Sequence, residues 1–393
     1  MVIYLAFLIP VIFAIGLFYF YRHKTQWWEV SIPMVATVIF VLIAKWLCVK
    51  SLTDDTEWLG GYVTSVEYYE PWNEEVPCRH PIYCTSCSGS GKSRSCRTYV
   101  CGHHHPYDVD YHPQHWEMIT TLHDYGISQS RYNKLVSQFG TGKTFVDLKR
   151  DYHTIDGDKY VTNWPSDDET LEPVVESETY ENRPKASHTI FHFQELDTTE
   201  IQTYKPFEYP PIDDDHKQKT LLGYEDRAAH HQLQVLNSEL GASKQVRVFL
   251  LVFKNQPREA GLVQERYWQG GNMNEIVVCV GINDSNDVQW GHTFSWTEST
   301  GVKIKIRNEI DEESVLDLPK IIKMIESEIQ FEWKRKDFHE FDYINIDPTI
   351  TQTIWIYILT ILVNVGIAYW IVVNEFHDED HTKKSHWNSR SWR

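Results

Sequence analysis

The chain has 393 residues, and 55 Asp and Glu against 37 Lys and Arg leave it a formal net charge of -18 at neutral pH. That balance excludes nucleic acid as a partner, because phosphate recognition needs concentrated Lys and Arg. Aromatic residues make up 14% of the chain, and the apolar residues gather into three stretches at its two ends.

The stretches are residues 1–21, 30–49 and 350–373. Each is about 20 residues long, the length a helix needs to cross roughly 30 Å of hydrocarbon at about 1.5 Å per residue. The first carries no charge, and the third has only Thr351, Gln352, Thr353, Thr360 and Asn364 as polar members. The second admits Lys45 near its far end, where a long stem can carry the ammonium to the interface. A secretory signal would show a basic start and a small-residue cleavage site. The first stretch has neither and runs straight into Arg22-His23-Lys24, so it is read as a retained span. Loop 22–29, with Arg22, Lys24, Trp27 and Trp28, carries the basic and aromatic signature of a cytoplasmic interface. That places Met1 and residues 50–349 outside. The tail 374–393, with Lys383, Lys384, Arg390 and Arg393, is then inside. Lys334, Arg335 and Lys336 oppose this rule but are interleaved with Glu332, Asp337, Glu340 and Asp342. The expectation is a multi-pass integral membrane protein with a large extracytoplasmic domain and the lipid bilayer as one partner.

Residues 50–162 alternate with a period of two over 61–69, 116–121 and 144–148, which predicts strands and a β-rich subdomain. Within it, 128–139 reads as a short helix capped by Ser128 or Ser130 and stopped by Gly140. Residues 163–219 are rich in Pro, Asp, Glu and Thr and read as an extended linker or excursion. Thr189–Phe193 is its periodic run, and Asp213-Asp214-Asp215 reads as a solvated turn. From 220 to 345 helices and strands alternate. A helix over 225–240 uses Leu233, Leu236 and Leu240 and stops at Gly241. It is followed by a strand over 245–253, a helix over 257–269 and strands over 275–282 and 288–296. A helix over 318–331 closes the series, which describes an α/β sandwich. The fold class is therefore membrane-anchored α+β, with two N-terminal spans and one C-terminal span flanking the two subdomains.

The run Val246-Arg247-Val248-Phe249-Leu250-Leu251-Val252-Phe253, with Gln264-Glu265-Arg266-Tyr267-Trp268, Gly270-Gly271-Asn272-Met273-Asn274-Glu275 and the following hairpin, resembles the TPM domain, a membrane-tethered α/β module of bacteria and plastids. The resemblance implies a metal-dependent phosphohydrolase using a divalent cation, with Glu265, Glu275, Asp284 and Asp287 nearest the ridge where such domains place ions. The chain departs from the pattern where Asn272-Met273-Asn274-Glu275 replaces a short Asp-Asn-Gly type segment. The whole plan, including Trp58-Leu59-Gly60-Gly61-Tyr62, Glu181-Asn182-Arg183 and Phe294-Ser295-Trp296-Thr297-Glu298, is similar to uncharacterised membrane proteins of tailed phages and related elements of Bacteroidetes-type bacteria. That second resemblance brings no chemistry with it.

Cys78, Cys84, Cys87, Cys96 and Cys101 fall in one short segment, followed by His103-His104-His105. Cys84-x2-Cys87 with Cys96-x4-Cys101 is the spacing of a four-thiolate zinc site. The same cysteines in an oxidising compartment would staple a hairpin too poor in apolar residues to order itself. Both readings stay open, and each leaves one cysteine over. Cys48 and Cys279 read as buried apolar thiols. The histidine run, with His112 and His115, reads as a solvated loop with transition-metal binding as the sharper alternative. Two Gly-Lys segments, 86–93 and 137–144, carry Ser86 and Ser137 where a P-loop needs glycine, and read as loops. No nucleophile with a base, no paired carboxylates and no cofactor site can be named from spacing. The expected function is that of a membrane-anchored binding or scaffolding protein acting on a protein partner at the membrane or cell envelope. A membrane-bound phosphohydrolase is the alternative.

Overall fold

The computed structural model describes residues 2–21, 29, 31–89, 94–139, 143–146, 158–163, 171–187 and 193–374. The basic loop at 22–28, Gly140, residues 189–192 of the periodic run and the tail at 375–393 lie outside the described residues, as do parts of both Gly-Lys segments. The chain forms two compact units. One comprises Met1–Thr56, Thr179–Gln194 and Asp337–Arg393, and the other Glu57–Glu178 and Glu195–Lys336.

A 3-10 turn, Val2–Phe7, continues as α1, Leu8–Phe20, with Pro10 in the first turn, where a missing N–H costs nothing. Helix α2, Ser31–Thr53, passes without a loop into strand β1, Asp54–Tyr69. Strands β2, Trp72–Pro77, β3, Pro81–Ser88, β4, Ser95–His103, and β5, Tyr107–His112, leave and return to β1's neighbourhood as one interrupted hairpin. Then come β6, His115–Thr120, β7, Asp124–Ile127, and helix α3, Gln129–Phe139. Strands β8, Thr144–Val146, β9, Lys159–Asn163, and β10, Pro173–Glu181, complete a sheet ordered β7-β6-β1-β9-β8, with β10 also pairing β1. One face of this sheet buries Val63, Val66, Met118 and Val174 against Tyr132 and Leu135 of α3. Ser128 Oγ caps α3 by accepting the Arg131 N–H at 3.2 Å.

The excursion between the sheets is ordered where described. It supplies β10 and the short helices α4, Arg183–Ala186, and α5, Thr198–Tyr204. Asp213 closes the acidic turn by accepting the N–H groups of Asp215 and Lys217 at 3.0 and 2.7 Å. Strand β11, Leu221–Leu222, is followed by α6, Arg227–Lys244, β12, Arg247–Lys254, and α7, Glu259–Tyr267. Next are β13, Glu275–Ile282, β14, Val288–Ser295, α8, Thr300–Glu312, and α9, Leu318–Glu332. The sheet order is β11-β12-β13-β14, parallel through β13 and antiparallel at the β13–β14 hairpin.

Strands β12 and β13 read as continuous apolar runs because both their faces are covered. Val248, Leu250, Val252, Ile276, Val278 and Val280 point to α6, α8 and α9. Phe249, Leu251, Phe253, Val277 and Cys279 point the other way, to α7 and the aromatic segment Tyr204, Phe207 and Tyr209. One sequence expectation needs correction here, and one element goes beyond the sequence reading. Gly241 does not stop α6, which runs on to Lys244 and ends on Gln245 in the left-handed conformation at φ 51°. Its role is close approach: a Cβ on Gly241 would sit 2.2 Å from the Gly60 carbonyl oxygen, so the two glycines let β1 cross the helix backbone to backbone. Helix α8 lies in a stretch, 297–317, for which no element is read from the sequence. It is a helix that buries Val302, Ile306 and Ile310 at four-residue spacing and leaves Ile304 exposed.

The membrane-related unit contains α10, Ile350–Asn374, which with Ile3–Phe20 and Ser31–Thr53 makes three helices, among the described residues, long and apolar enough to cross a membrane. Asn364 of α10 is fully buried and donates to Thr37 Oγ1 of α2 at 2.8 Å and to the Thr360 carbonyl at 2.8 Å. Such a bond between spans satisfies polar groups that lipid cannot. Lys45 Nζ donates to Tyr4 Oη at 2.9 Å and lies 4.0 Å from Asp347, so its charge has partners at one end of the bundle. In the same unit Arg183 Nη1 donates to the carbonyls of Asp342 and Ile344 at 3.1 and 2.9 Å, and Lys185 pairs with Asp55 at 3.0 Å.

Candidate functional site in the stapled hairpin 72–112

The interrupted hairpin consists of two ladders in series. Strands β2 and β5 pair from Trp72↔His112 to Pro77↔Tyr107, and β3 and β4 pair from Pro81↔His103 to Ser88↔Ser95. Apart from a few half-covered positions, β3 and β4 are exposed on both faces, so no apolar core holds them. Disulfides do so instead. Cys84 is bonded to Cys101 and Cys87 to Cys96, the latter at directly opposed positions of the ladder. The four cysteines whose spacing also suited zinc are thus brought together in pairs, with their sulfurs spent in covalent bonds. Around them Tyr83 is 66% exposed and Tyr111 66%, and Ile82, Tyr99, Val100, Tyr107 and Val109 are exposed as well.

Between the ladders lie two short connectors, 78–80 and 104–106, and here the fifth cysteine finds its neighbours. Cys78, His80, His105 and Asp108 each bring one ligand-type atom into a group whose members all lie within 4.8 Å of one another. Cys78 Sγ is 3.8 Å from His105 Nε2, and Asp108 Oδ1 is 3.4 Å from both His80 Nδ1 and His105 Nε2. The Arg79 N–H, donating to Asp108 Oδ2 at 2.6 Å, holds that carboxyl below the usual carboxylate range, with the two imidazoles adding to the effect. Arg79's guanidinium is itself bound to Asp110. The remaining histidines go elsewhere. His112 binds Glu74 at 2.8 Å and stacks on Trp72, while His115 stacks on Tyr69. Sequence reasoning saw the leftover cysteine and the histidine run separately. The signal that joins them is Cys-x-His on one side of a hairpin and His-x2-Asp on the other.

The acids suggested by the TPM resemblance do not converge. Glu265 binds His292 at 2.8 Å, Asp284 accepts from Asn255 at 2.9 Å, and Asp287 accepts from Asn283 at 2.8 Å. Glu275 is wholly buried. One of its oxygens takes the Tyr209 hydroxyl and the Asn272 amide at 2.8 Å, and the other takes the Asn272 N–H at 2.9 Å. Burial raises its pKa, with these donors and Arg247 opposing. Burial also brings buried Arg247 down to about 10. Cys279 stands opposite His292 in the β13–β14 register, and His292 in turn binds Glu265, an order that looks like a nucleophile, a base and an orienting acid. Burial pushes the fully covered Cys279 thiol far up, however, so it is an inert core group.

Comparison with protein-family models, with curated proteins and with solved structures found no match to this chain.

Proposed function

We propose that this is a membrane-anchored, multi-pass binding or scaffolding protein whose domain, residues 50–349, lies outside the cytoplasm and engages a protein partner at the membrane or cell envelope through the hairpin 72–112. The observation that carries this reading is the β3–β4 ladder, stapled by two disulfides, uncovered on both faces and lined with exposed aromatic and β-branched side chains. A strand pair held rigid by covalent bonds loses little entropy on binding, and Tyr side chains contribute disproportionately to interface energy. Disulfides persist in oxidising compartments, which supports the extracytoplasmic placement. The cluster Lys334, Arg335 and Lys336 is compatible with it too, because Arg335 binds buried Glu57 at 2.7 Å and Lys334 binds Glu298.

The likeness of residues 220–345 to TPM domains is kept as an expectation about fold, supported by the strand–helix–strand unit and the following hairpin. A phosphohydrolase built on it would need Glu275 to face a cation, and that carboxylate already holds Tyr209 and Asn272. The binding reading is tested by placing a photo-crosslinking amino acid at Tyr99, or at Ser285 on the α/β part, and irradiating native membranes. The expected result is a discrete adduct from Tyr99 that Tyr83→Ser weakens. Equal adducts from both positions, or none from Tyr99, would overturn it.

A further inference from the structure

We propose that Cys78, His80, His105 and Asp108 form a tetrahedral zinc site that clips the two connectors of the hairpin together. The proposal goes beyond the binding reading and does not depend on what the hairpin recognises. The donor set is one thiolate, two imidazoles and one carboxylate. That mixture suits borderline-soft Zn²⁺, whereas Ca²⁺ or Mg²⁺ would call for oxygens alone. Bonds of about 2.0–2.3 Å in a tetrahedron set ligand atoms roughly 3.3–3.8 Å apart. Three of the six separations among the four atoms, 3.4, 3.4 and 3.8 Å, are of that size, and all six lie within 4.8 Å.

The surrounding hydrogen bonds aim the ligands. His105 Nδ1 lies 2.6 Å from the Tyr107 carbonyl, which can only accept, so the proton sits on Nδ1 and the Nε2 lone pair faces inward. Asp108 gives Oδ2 to the Arg79 N–H and leaves Oδ1 toward the imidazoles. The His80 N–H points at Cys78 Sγ at 3.3 Å and helps hold the sulfur in the cluster. Cys78 is only 5% exposed and is not disulfide-bonded, unlike the four cysteines of the ladder above it. Two ligands, Cys78 and His80, come from the outgoing connector, and two, His105 and Asp108, from the returning one and its flank. A bound ion therefore closes the break between the β2–β5 and β3–β4 ladders and fixes the angle at which the stapled tip is carried. Binding displaces the Cys78 thiol proton to solvent as the Zn–S bond forms.

The test uses the full chain purified in detergent without reductant, stripped with EDTA and resupplied with Zn²⁺ alone or Co²⁺ alone. One zinc per chain is expected. The Co²⁺ form should show intense tetrahedral d–d bands with a thiolate-to-cobalt charge-transfer band, and zinc should shield Cys78 from alkylation. Affinity should fall at least about 100-fold in Cys78→Ser and His105→Ala and stay unchanged in exposed His104→Ala. The cobalt spectrum of the unaltered chain keeps the test valid should a variant misfold. A chain that takes up no zinc, a cobalt form without the sulfur band, or zinc that survives both ligand variants and resides on reduced Cys84, Cys87, Cys96 and Cys101 would each overturn the proposal.

Discussion

At the scale of single residues, Glu275 shows how a carboxylate in a suggestive position can be structural. It lies in the segment where the TPM resemblance led to an expectation of metal chemistry, yet it is fully buried and bonded through both oxygens. Removing one acceptor from such a site strands a donor, which costs about 1–3 kcal/mol. Glu275→Gln should lower stability by about that amount at neutral pH, read from thermal melts followed by tryptophan fluorescence. The pH dependence has a definite sign. Because the folded pKa is raised, the folded chain holds this proton more tightly than the unfolded one. The stability that Glu275 contributes is therefore highest below its unfolded pKa near about 4.3 and falls as pH climbs through its raised folded pKa. The Gln variant lacks that fall. A variant with the same pH slope as the parent would show that Glu275 is not the group responsible.

At the scale of elements, two devices replace ordinary core packing. The first is the backbone contact between β1 and α6. Gly241→Ala would drive a Cβ to 2.2 Å from the Gly60 oxygen, while Gly102→Ala in β4 meets nothing within 4 Å. The first substitution should cost about 1–3 kcal/mol or more and the second should leave the melting temperature nearly unchanged. Similar shifts for both would mean that β1 does not approach α6 this closely. The second device is the pair of disulfides. Cys84–Cys101 closes a loop with a sequence separation of 17, worth about 3 kcal/mol by chain entropy. Replacing both cysteines by serine should speed amide exchange across residues 81–103 and leave β12 and β13 protected, since little beyond the hairpin rests on these strands. Faster exchange throughout the α/β sheet would show that the hairpin supports more than itself.

At the scale of the whole molecule, orientation is the quantity on which the compartment and the disulfide chemistry depend. An impermeant maleimide applied to intact spheroplasts should label Ser285→Cys above the parent chain and leave Ser385→Cys unlabelled until the membrane is opened. The reverse pattern would place the domain in the cytoplasm, where glutathione keeps thiols reduced, and the stapled hairpin would lose its chemical basis.

The three spans, strands β1, β6 and β8, and the series α6, β12, α7, β13, β14 and α9 were legible in the residues themselves. Span length and the 2.0 and 3.6 periodicities are local properties, carried by runs such as 350–373 and 246–253 that need no partner to be recognised. Local pattern fell short where a side chain's direction depends on what lies opposite it. No element is read from the sequence at 302–306, and the structure has a helix there that buries Val302, Ile306 and Ile310 at four-residue spacing against the sheet. Gly241 looked like a stop and is a crossing point, which only Gly60, far earlier in the chain, explains. The cysteine pairing and the meeting of Cys78 and His80 with His105 and Asp108 were likewise decided by the tertiary structure, whereas the burial of Cys279 was legible in its strand. Residue types and spacings state what a side chain can bind. Which side chains meet is set by strand register across a hairpin, a property of two segments together that neither segment carries alone.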